Sequence, residues 1–264
     1  IFVVDNNSHD GTQKEIAKEF PNVNLILNRD NFGFAKANNQ ALKKAKGRFM
    51  LLLNPDTKVL PDTFTKTIKF LESKPNAAVA TCRVELENGN LDLDCRRNFP
   101  TPWRSFCHFS GLEKLFPKSK LFDGYYMNYV PDTKEHIVDA CVGAFMLIKH
   151  DAINKVGMLD EDYFFYGEDL DWCFRFKEAG YEIWYTPTTK ILHYKGASSG
   201  IKKSSEHLTR ATQESKKRVL LESTRAMEIF YNKHLKEKYP FFVNWTVVAA
   251  IKLLGFMRLL KINK

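Results

Sequence analysis

Two acidic patches in this chain sit where a carboxylate could do chemistry. The first closes the run Phe49-Met50-Leu51-Leu52-Leu53-Asn54-Pro55-Asp56-Thr57. Five apolar residues without alternation suit a strand buried on both faces in the middle of a mainly parallel sheet. Proline, which has no N–H for a ladder, ends it. Asp56 is then presented at the carboxyl end of the strand, where open α/β sheets bind their ligands. A carboxylate there can hold a divalent cation, and the cation can hold a diphosphate. The same tripeptide is also ordinary turn chemistry, and alone it does not separate the two readings. The second patch lies within Leu159–Arg175, where Gly167 breaks the chain before a helix that opens on Glu168-Asp169. Acidic residues are favoured in any first helical turn. The same dipole keeps a carboxylate ionised, as a general base must be. Asp171 and Arg175, four apart, can pair with each other. Trp172 reads as core, while Tyr166 fits either core or a sugar contact.

The elements that must position these groups alternate in type. Strands are expected at Ile1–Val4, Val23–Leu27 and Phe49–Leu53, with helices at Thr12–Phe20 and Ala35–Lys46 between them. That order implies parallel pairing with right-handed crossovers. A helix at Pro61–Ser73 and a strand at Ala77–Thr81 follow. Residues 83–135 are less regular, with a hairpin signal at Asn88-Gly89 and an aromatic, proline-rich and basic stretch over 98–132, as expected of a functional loop or lid. Order returns with a strand over Val142–Ile148, a short helix from Asp151 to Gly157, the Glu168–Ala179 helix, and strands at Tyr181–Tyr185 and Lys190–His193. Gly196–Gly200 reads as a loop and Lys202–Lys238 as a long charged helix.

Charge divides the chain in two. The net charge is +9, and residues 201–264 carry all of it, because the first 200 residues balance. A basic tail calls for an anionic partner, a membrane surface or a nucleic acid, and no recognised nucleic-acid module supports the second. Phe241–Leu260 is apolar apart from Asn244, Lys252 and Arg258. Spanning a bilayer would bury Lys252 near its centre at a cost of about 2.5–3.5 kcal/mol. A helix lying in the interface would send Lys252 and Arg258 to the headgroups, and packing against the body is the third possibility. The five cysteines form no CxxC pair, which favours a reducing compartment and thiols used as small buried hydrophobes. No secretory signal opens the chain. No GxGxxG follows the first strand, which argues against a dinucleotide-binding oxidoreductase.

Five segments occur in a telling order: Val4-Asp5-Asn6-Asn7-Ser8-His9-Asp10-Gly11-Thr12, Asn31-Phe32-Gly33-Phe34-Ala35-Lys36-Ala37-Asn38-Asn39, Leu53-Asn54-Pro55-Asp56-Thr57, Gly143-Ala144-Phe145-Met146 and Phe165-Tyr166-Gly167-Glu168-Asp169-Leu170-Asp171-Trp172. Together they resemble the family 2 inverting glycosyltransferases, most closely the rhamnosyltransferase-like branch, over roughly residues 1–200. The resemblance implies a GT-A fold, with a mostly parallel central sheet flanked by helices; the basic helical C-terminal tail over 201–264 is read beside it from charge and pattern. It implies transfer of a sugar, such as rhamnose, from a dTDP- or UDP-sugar to a hydroxyl of a lipid-linked or cell-surface saccharide. The expected setting is the cytoplasmic face of the cell membrane, with the tail on an anionic membrane surface.

The same resemblance assigns residues. The family's Asp-x-Asp metal motif is here Asn54-Pro55-Asp56, so Asp56 is the expected ligand of Mg²⁺ or Mn²⁺, with His193 as a further ligand. Asp5 and Asn6 match positions that contact base and ribose, Lys36 one near the diphosphate, and Asp169 the catalytic base, with Glu168 as second choice. Relatives begin with a strand and helix ahead of the one at Ile1, so the chain is expected to lack that unit. A GT-A-shaped partner without catalysis, in a polysaccharide-assembly complex, is the rival reading.

Overall fold

The computed structural model describes residues 1–195 and 213–262; the expected Gly196–Gly200 loop and the first turns of the charged helix lie outside them. The first 57 residues form their elements in the expected order. β1 (Phe2–Asp5), α1 (Thr12–Glu19) and β2 (Asn24–Leu27) form a parallel strand–helix–strand unit, followed by α2 (Phe34–Leu42) and β3 (Phe49–Leu53). The chain continues through β4 (Thr57–Val59), α3 (Thr63–Glu72) and β5 (Ala77–Leu86). Next come α4 (Pro102–Ser110), α5 (Leu112–Leu115), β6 (His136–Val138), β7 (Phe145–Lys149), α6 (His150–Val156), α7 (Glu168–Glu178) and β8 (Glu182–His193). Two helices, α8 (Gln213–Phe230) and α9 (Phe241–Ile262), complete the described chain.

The expectation of a mostly parallel sheet needs correction. In the six-stranded sheet the order is β3-β7-β5-β8-β4, with β6 also on β8. Only β5 and β8 pair in parallel there; β7 runs antiparallel to both of its neighbours, and β4 and β6 run antiparallel to β8. β3 has a single ladder partner among the described residues, so it stands at the margin of this sheet and not in its middle. Its burial alternates accordingly, with Met50 and Leu52 buried and Leu53 exposed. An apolar run suits either position, and direction is decided by the long connection between β5 and β7, which no local pattern encodes.

The core lies where β5, β7 and β8 meet α7. Phe145, Met146, Ile148, Trp172, Phe176, Ile183 and Tyr185 are all enclosed. Burying each such side chain contributes about 1.5–3 kcal/mol. Trp172 is core, as expected, and its indole N–H donates to the Gly157 carbonyl at 2.8 Å. All five cysteines are buried and free. Strands were expected at Tyr181–Tyr185 and Lys190–His193, with Pro187 lying between them. They are one strand, β8, with a bulge, the register jumping from Cys82↔Thr186 to Arg83↔Lys190, which lets proline sit outside the ladder. The stretch expected to be irregular holds α4, whose start has a readable signal: the Thr101 hydroxyl accepts the Arg104 N–H and Pro102 opens the helix.

The tail is docked at its beginning, and its last helix packs one half-buried face on α8 and leaves the other exposed. Ala226, Phe230, Tyr231 and Leu235 join Tyr163 and Phe174 in a second apolar cluster. His234 Nε2 lies 2.7 Å from Asp171, which also accepts from Arg175 at 2.7 Å. By length and composition Phe241–Leu260 would suffice to cross a membrane, and none of its most apolar window is buried. Arg258 donates to Ser223 of α8 at 3.2 Å, as packing against the body would have it, instead of facing outward as in an interfacial helix.

One contact ties the two halves of the candidate site together. The Phe34 N–H donates to the Phe164 carbonyl at 2.8 Å, and Gly33 beside it adopts φ +83° and ψ 177°. That conformation is open essentially to glycine alone, and a Cβ there would collide with the Phe164 carbonyl oxygen. Gly33→Ala should therefore cost about 1–3 kcal/mol in denaturant unfolding. An unchanged midpoint would show that this loop is not held against residue 164.

Candidate active site

Strand register brings Asp56 and His193 together. β4 begins directly after Asp56, Thr57 pairs with His193, and the Asp56 carbonyl accepts the Tyr194 N–H at 2.9 Å. The side chains meet on the same side: His193 Nε2 lies 3.3 Å from Asp56 Oδ1. That oxygen is enclosed and receives no hydrogen bond. On its other nitrogen, His193 Nδ1 lies 3.3 Å from Asp92 Oδ2. Burial by itself lowers the His193 pKa, but the two flanking carboxylates outweigh it and raise it.

Asp92 reaches this place through the expected hairpin. Gly89 takes a positive φ, Leu86 N–H donates to Asn90 O at 2.8 Å, and the returning chain ties Asp92 N–H to Val84 O at 2.8 Å. Sequence reasoning recognised this turn but not the carboxylate it delivers. From Asp92 a line of buried charges continues. Lys195 lies 2.6 Å from Asp92 and also pairs with Asp94. Arg97 bridges onward, 3.2 Å from Asp94 and 3.1 Å from Asp169. Asp92 is held well below the usual carboxylate range: burial pushes it up, and His193 and Lys195 more than reverse this. Tyr125 and Tyr126 lie close enough to Arg97 to feel its charge, and burial raises both phenols above the ordinary tyrosine range. None of Asp92, Asp94, Arg97, Lys195 or the tyrosines was expected in the site.

At the far end stands the start of α7. Gly167 has φ +86°, and no side chain caps the helix. Asp169 accepts the Leu170 N–H at 2.8 Å, as a carboxylate at a positive helix end should, and Arg97 holds its other oxygen. Glu168 is different. Burial first, and Asp169 second, push its pKa up to about 8, and its Oε2 has no hydrogen-bond partner. The two adjacent carboxylates thus occupy unlike environments.

Asp5 and Asn6 belong to a separate cluster at the end of β1. Asp5 is buried and accepts from Gln13 Nε2 at 2.6 Å and Ser8 N–H at 3.0 Å. Burial raises its pKa, and these donors more than offset that and lower it. Asn6 donates to Gly33 O at 3.0 Å and accepts from Asn28 at 2.8 Å, which leaves one N–H and one lone pair. Lys36 is exposed over the Phe32 ring, 4.7 Å from its centroid. Asn54 keeps its backbone tied, N–H to Ala144 O at 3.2 Å and O to the Thr57 hydroxyl at 2.7 Å.

Among the described residues no three His, Cys, Asp or Glu side chains converge as a ready-made metal cluster. Asp56 and His193 nevertheless fit one side of a cation: an enclosed carboxylate oxygen without a donor faces an imidazole nitrogen, and the other ring nitrogen is turned to a carboxylate. Such His–carboxylate pairing is the usual support of a ligating imidazole.

Comparison with known proteins gives the family and the fold. The rhamnosyltransferase WbbL of Escherichia coli is 29% identical over 202 residues, covering 73% of this chain and 72% of that protein. The N-acetylglucosaminyl-diphospho-decaprenol L-rhamnosyltransferase of Mycobacterium tuberculosis is 25% identical over 211 residues, covering 76% and 68%. The mannosyltransferase PcManGT of Pyrobaculum calidifontis, solved with GDP-Man and Mn²⁺, superposes with a TM-score of 0.52 at 17% identity, covering 96% of this chain and 59% of that one. That likeness establishes the fold, GT-A. The family model described as Glycosyl transferase family 2 matches residues 1–157, and the chain belongs to that family.

Proposed function

We propose that the chain is a metal-dependent inverting glycosyltransferase that moves a sugar from a nucleoside diphosphate to a hydroxyl of a lipid-linked saccharide. The observation that carries this reading is the single line of buried charge from Asp56 and His193 to Asp169. Four carboxylates along it (Asp56, Asp92, Asp94 and Asp169) face only two fixed cations, Lys195 and Arg97. His193, its pKa raised by Asp56 and Asp92, stands between those two carboxylates, and a divalent cation beside Asp56 would add positive charge at this acidic end. Asp56 and His193 would hold Mg²⁺ or Mn²⁺, with donor phosphates and water supplying further oxygens. When bound, such an ion takes up charge developing on the departing diphosphate.

The remaining assignments follow. Asp5 and Asn6 flank the base and ribose, Asn54 lies beside the donor, and Lys36 approaches the diphosphate. Asp169 is the base that accepts the acceptor's proton, held at the helix start by Arg97. A dTDP- or UDP-linked deoxyhexose such as rhamnose is the donor favoured by the family branch and by the two relatives' names. Residues 1–200 form the catalytic unit, and the basic tail, with the exposed face of α9, rests on the cytoplasmic face of the membrane.

Calorimetry with UDP or dTDP and Mn²⁺ tests the metal end. Asp56→Ala should abolish metal-dependent binding of the nucleotide, with a smaller effect from Asn54→Ala. Asp92→Asn, which leaves His193 in place but loosens it, should weaken Mn²⁺ binding about 10–100-fold. Unchanged affinity in Asp56→Ala would remove the metal role.

Rate measurements test the base. Asp169→Asn keeps shape but cannot take a proton, so turnover should fall about 10²–10⁴-fold while donor binding survives. Glu168→Gln should keep turnover, because a carboxyl protonated below about pH 8 already resembles an amide. The reverse pattern would move the role to Glu168.

The same group gives a pH signature. Glu168 binds its proton more tightly folded than unfolded, so its contribution to stability is full below the ordinary glutamate range and is lost as pH rises toward about 8. Glu168→Gln should remove a pH-dependent loss on the order of 5 kcal/mol between those limits, seen as a flatter denaturant midpoint. A wild-type midpoint without that slope would contradict the buried, protonated state.

A further inference from the structure

The lobe between β5 and β6 exposes more apolar surface than its own packing requires. Trp103, Phe106 and Phe109 recur every three residues along α4, and Leu115, Phe116 and Leu121 continue the patch; all six are between 45 and 72% exposed. The patch is a built surface and not a loose loop. The Trp103 indole donates to the Leu121 carbonyl at 2.9 Å, and Phe116 stacks on Phe122 with centroids 4.7 Å apart.

Its charge has one sign. Lys114, Lys118 and Lys120 are exposed among these residues. The only acids between 101 and 126 are turned inward: Glu113 is held by His108 at 2.9 Å, and buried Asp123 accepts from Lys118 N–H and Asn128. An apolar face rimmed by lysines, with its acids withdrawn, matches an anionic lipid surface, where aromatic rings enter and ammonium groups reach the headgroups. Protein interfaces, by contrast, are depleted in lysine.

We infer that this lobe is a membrane-contact surface for anionic lipid, separate from the C-terminal helix. It also lies next to the base end of the candidate site. The His108 ring packs 5.4 Å and 5.3 Å from Tyr125 and Tyr126, the two tyrosines that interact with the Arg97 charge. Contact here would bring the bilayer to the side where a lipid-borne acceptor must arrive; that last step rests on the proposed function, whereas the contact itself does not.

The test is partitioning of the full chain onto vesicles of phosphatidylcholine with phosphatidylglycerol and of phosphatidylcholine alone. Leu115→Ser with Phe116→Ser should weaken binding to the mixed vesicles about tenfold, from lost apolar insertion. Lys114→Glu, Lys118→Glu and Lys120→Glu together should erase the preference for the anionic vesicles, each lysine being worth about a fivefold change. Both effects should persist in a chain carrying Phe241→Ser and Trp245→Ser in α9. These positions are exposed, so nucleotide binding and the unfolding midpoint serve as controls that the variants remain folded. Partitioning unaffected by either set would overturn the inference. So would a dimer that the Leu115 and Phe116 changes dissolve, because the face would then belong to a second copy.

Discussion

The site depends on one buried line of ion pairs, from Asp56 through His193, Asp92, Lys195, Asp94 and Arg97 to Asp169. Such a line is poor evidence for stability, since desolvating charges costs about as much as pairing them returns. Its worth lies in position. Removing one member strands its neighbours and costs about 3–5 kcal/mol, so each side chain has a single acceptable place. The line joins β4, β8, the hairpin after β5 and the first turn of α7. Those four pieces are far apart in sequence, and the ladder of β8 with β5 and β4 brings three of them to one edge.

That arrangement also separates two neighbouring carboxylates. Asp169 has a guanidinium and a helix N–H as partners, whereas Glu168, one residue earlier, has an enclosed oxygen with none. The two carboxyls differ because burial and the adjacent Asp169 charge push the Glu168 pKa up to about 8. The tyrosines near Arg97 belong to the same corner and link it to the lobe bearing α4 and α5.

Much of this was legible in the sequence, though unevenly. Asp56 could be found because an apolar run and a proline fix where a strand ends, and the Asp169 helix start because glycine and acids mark it. Asp171–Arg175, Trp172 and the Asn88-Gly89 turn behave as their spacing implies. His193 came from family resemblance; as a lone histidine it carries no local signal. Asp92 and Asp94 read as polar residues after a turn, and only strand register shows that the turn aims them at β8. Sheet direction was misread for the same reason: antiparallel β7 and marginal β3 are set by a long connection, not by local pattern. The two strands read at Tyr181–Tyr185 and Lys190–His193 are one, with Pro187 absorbed in a bulge.

The central claim is that Asp92 holds His193 so that Nε2 serves a cation beside Asp56. Pulsed electron paramagnetic resonance on Mn²⁺ bound with UDP or dTDP to ¹⁵N-histidine-labelled protein reads this directly. The account predicts a nitrogen coupling from a directly bound imidazole that disappears in His193→Gln. A Mn²⁺–nucleotide complex with no histidine coupling in the wild type, or the same coupling in His193→Gln, would contradict it.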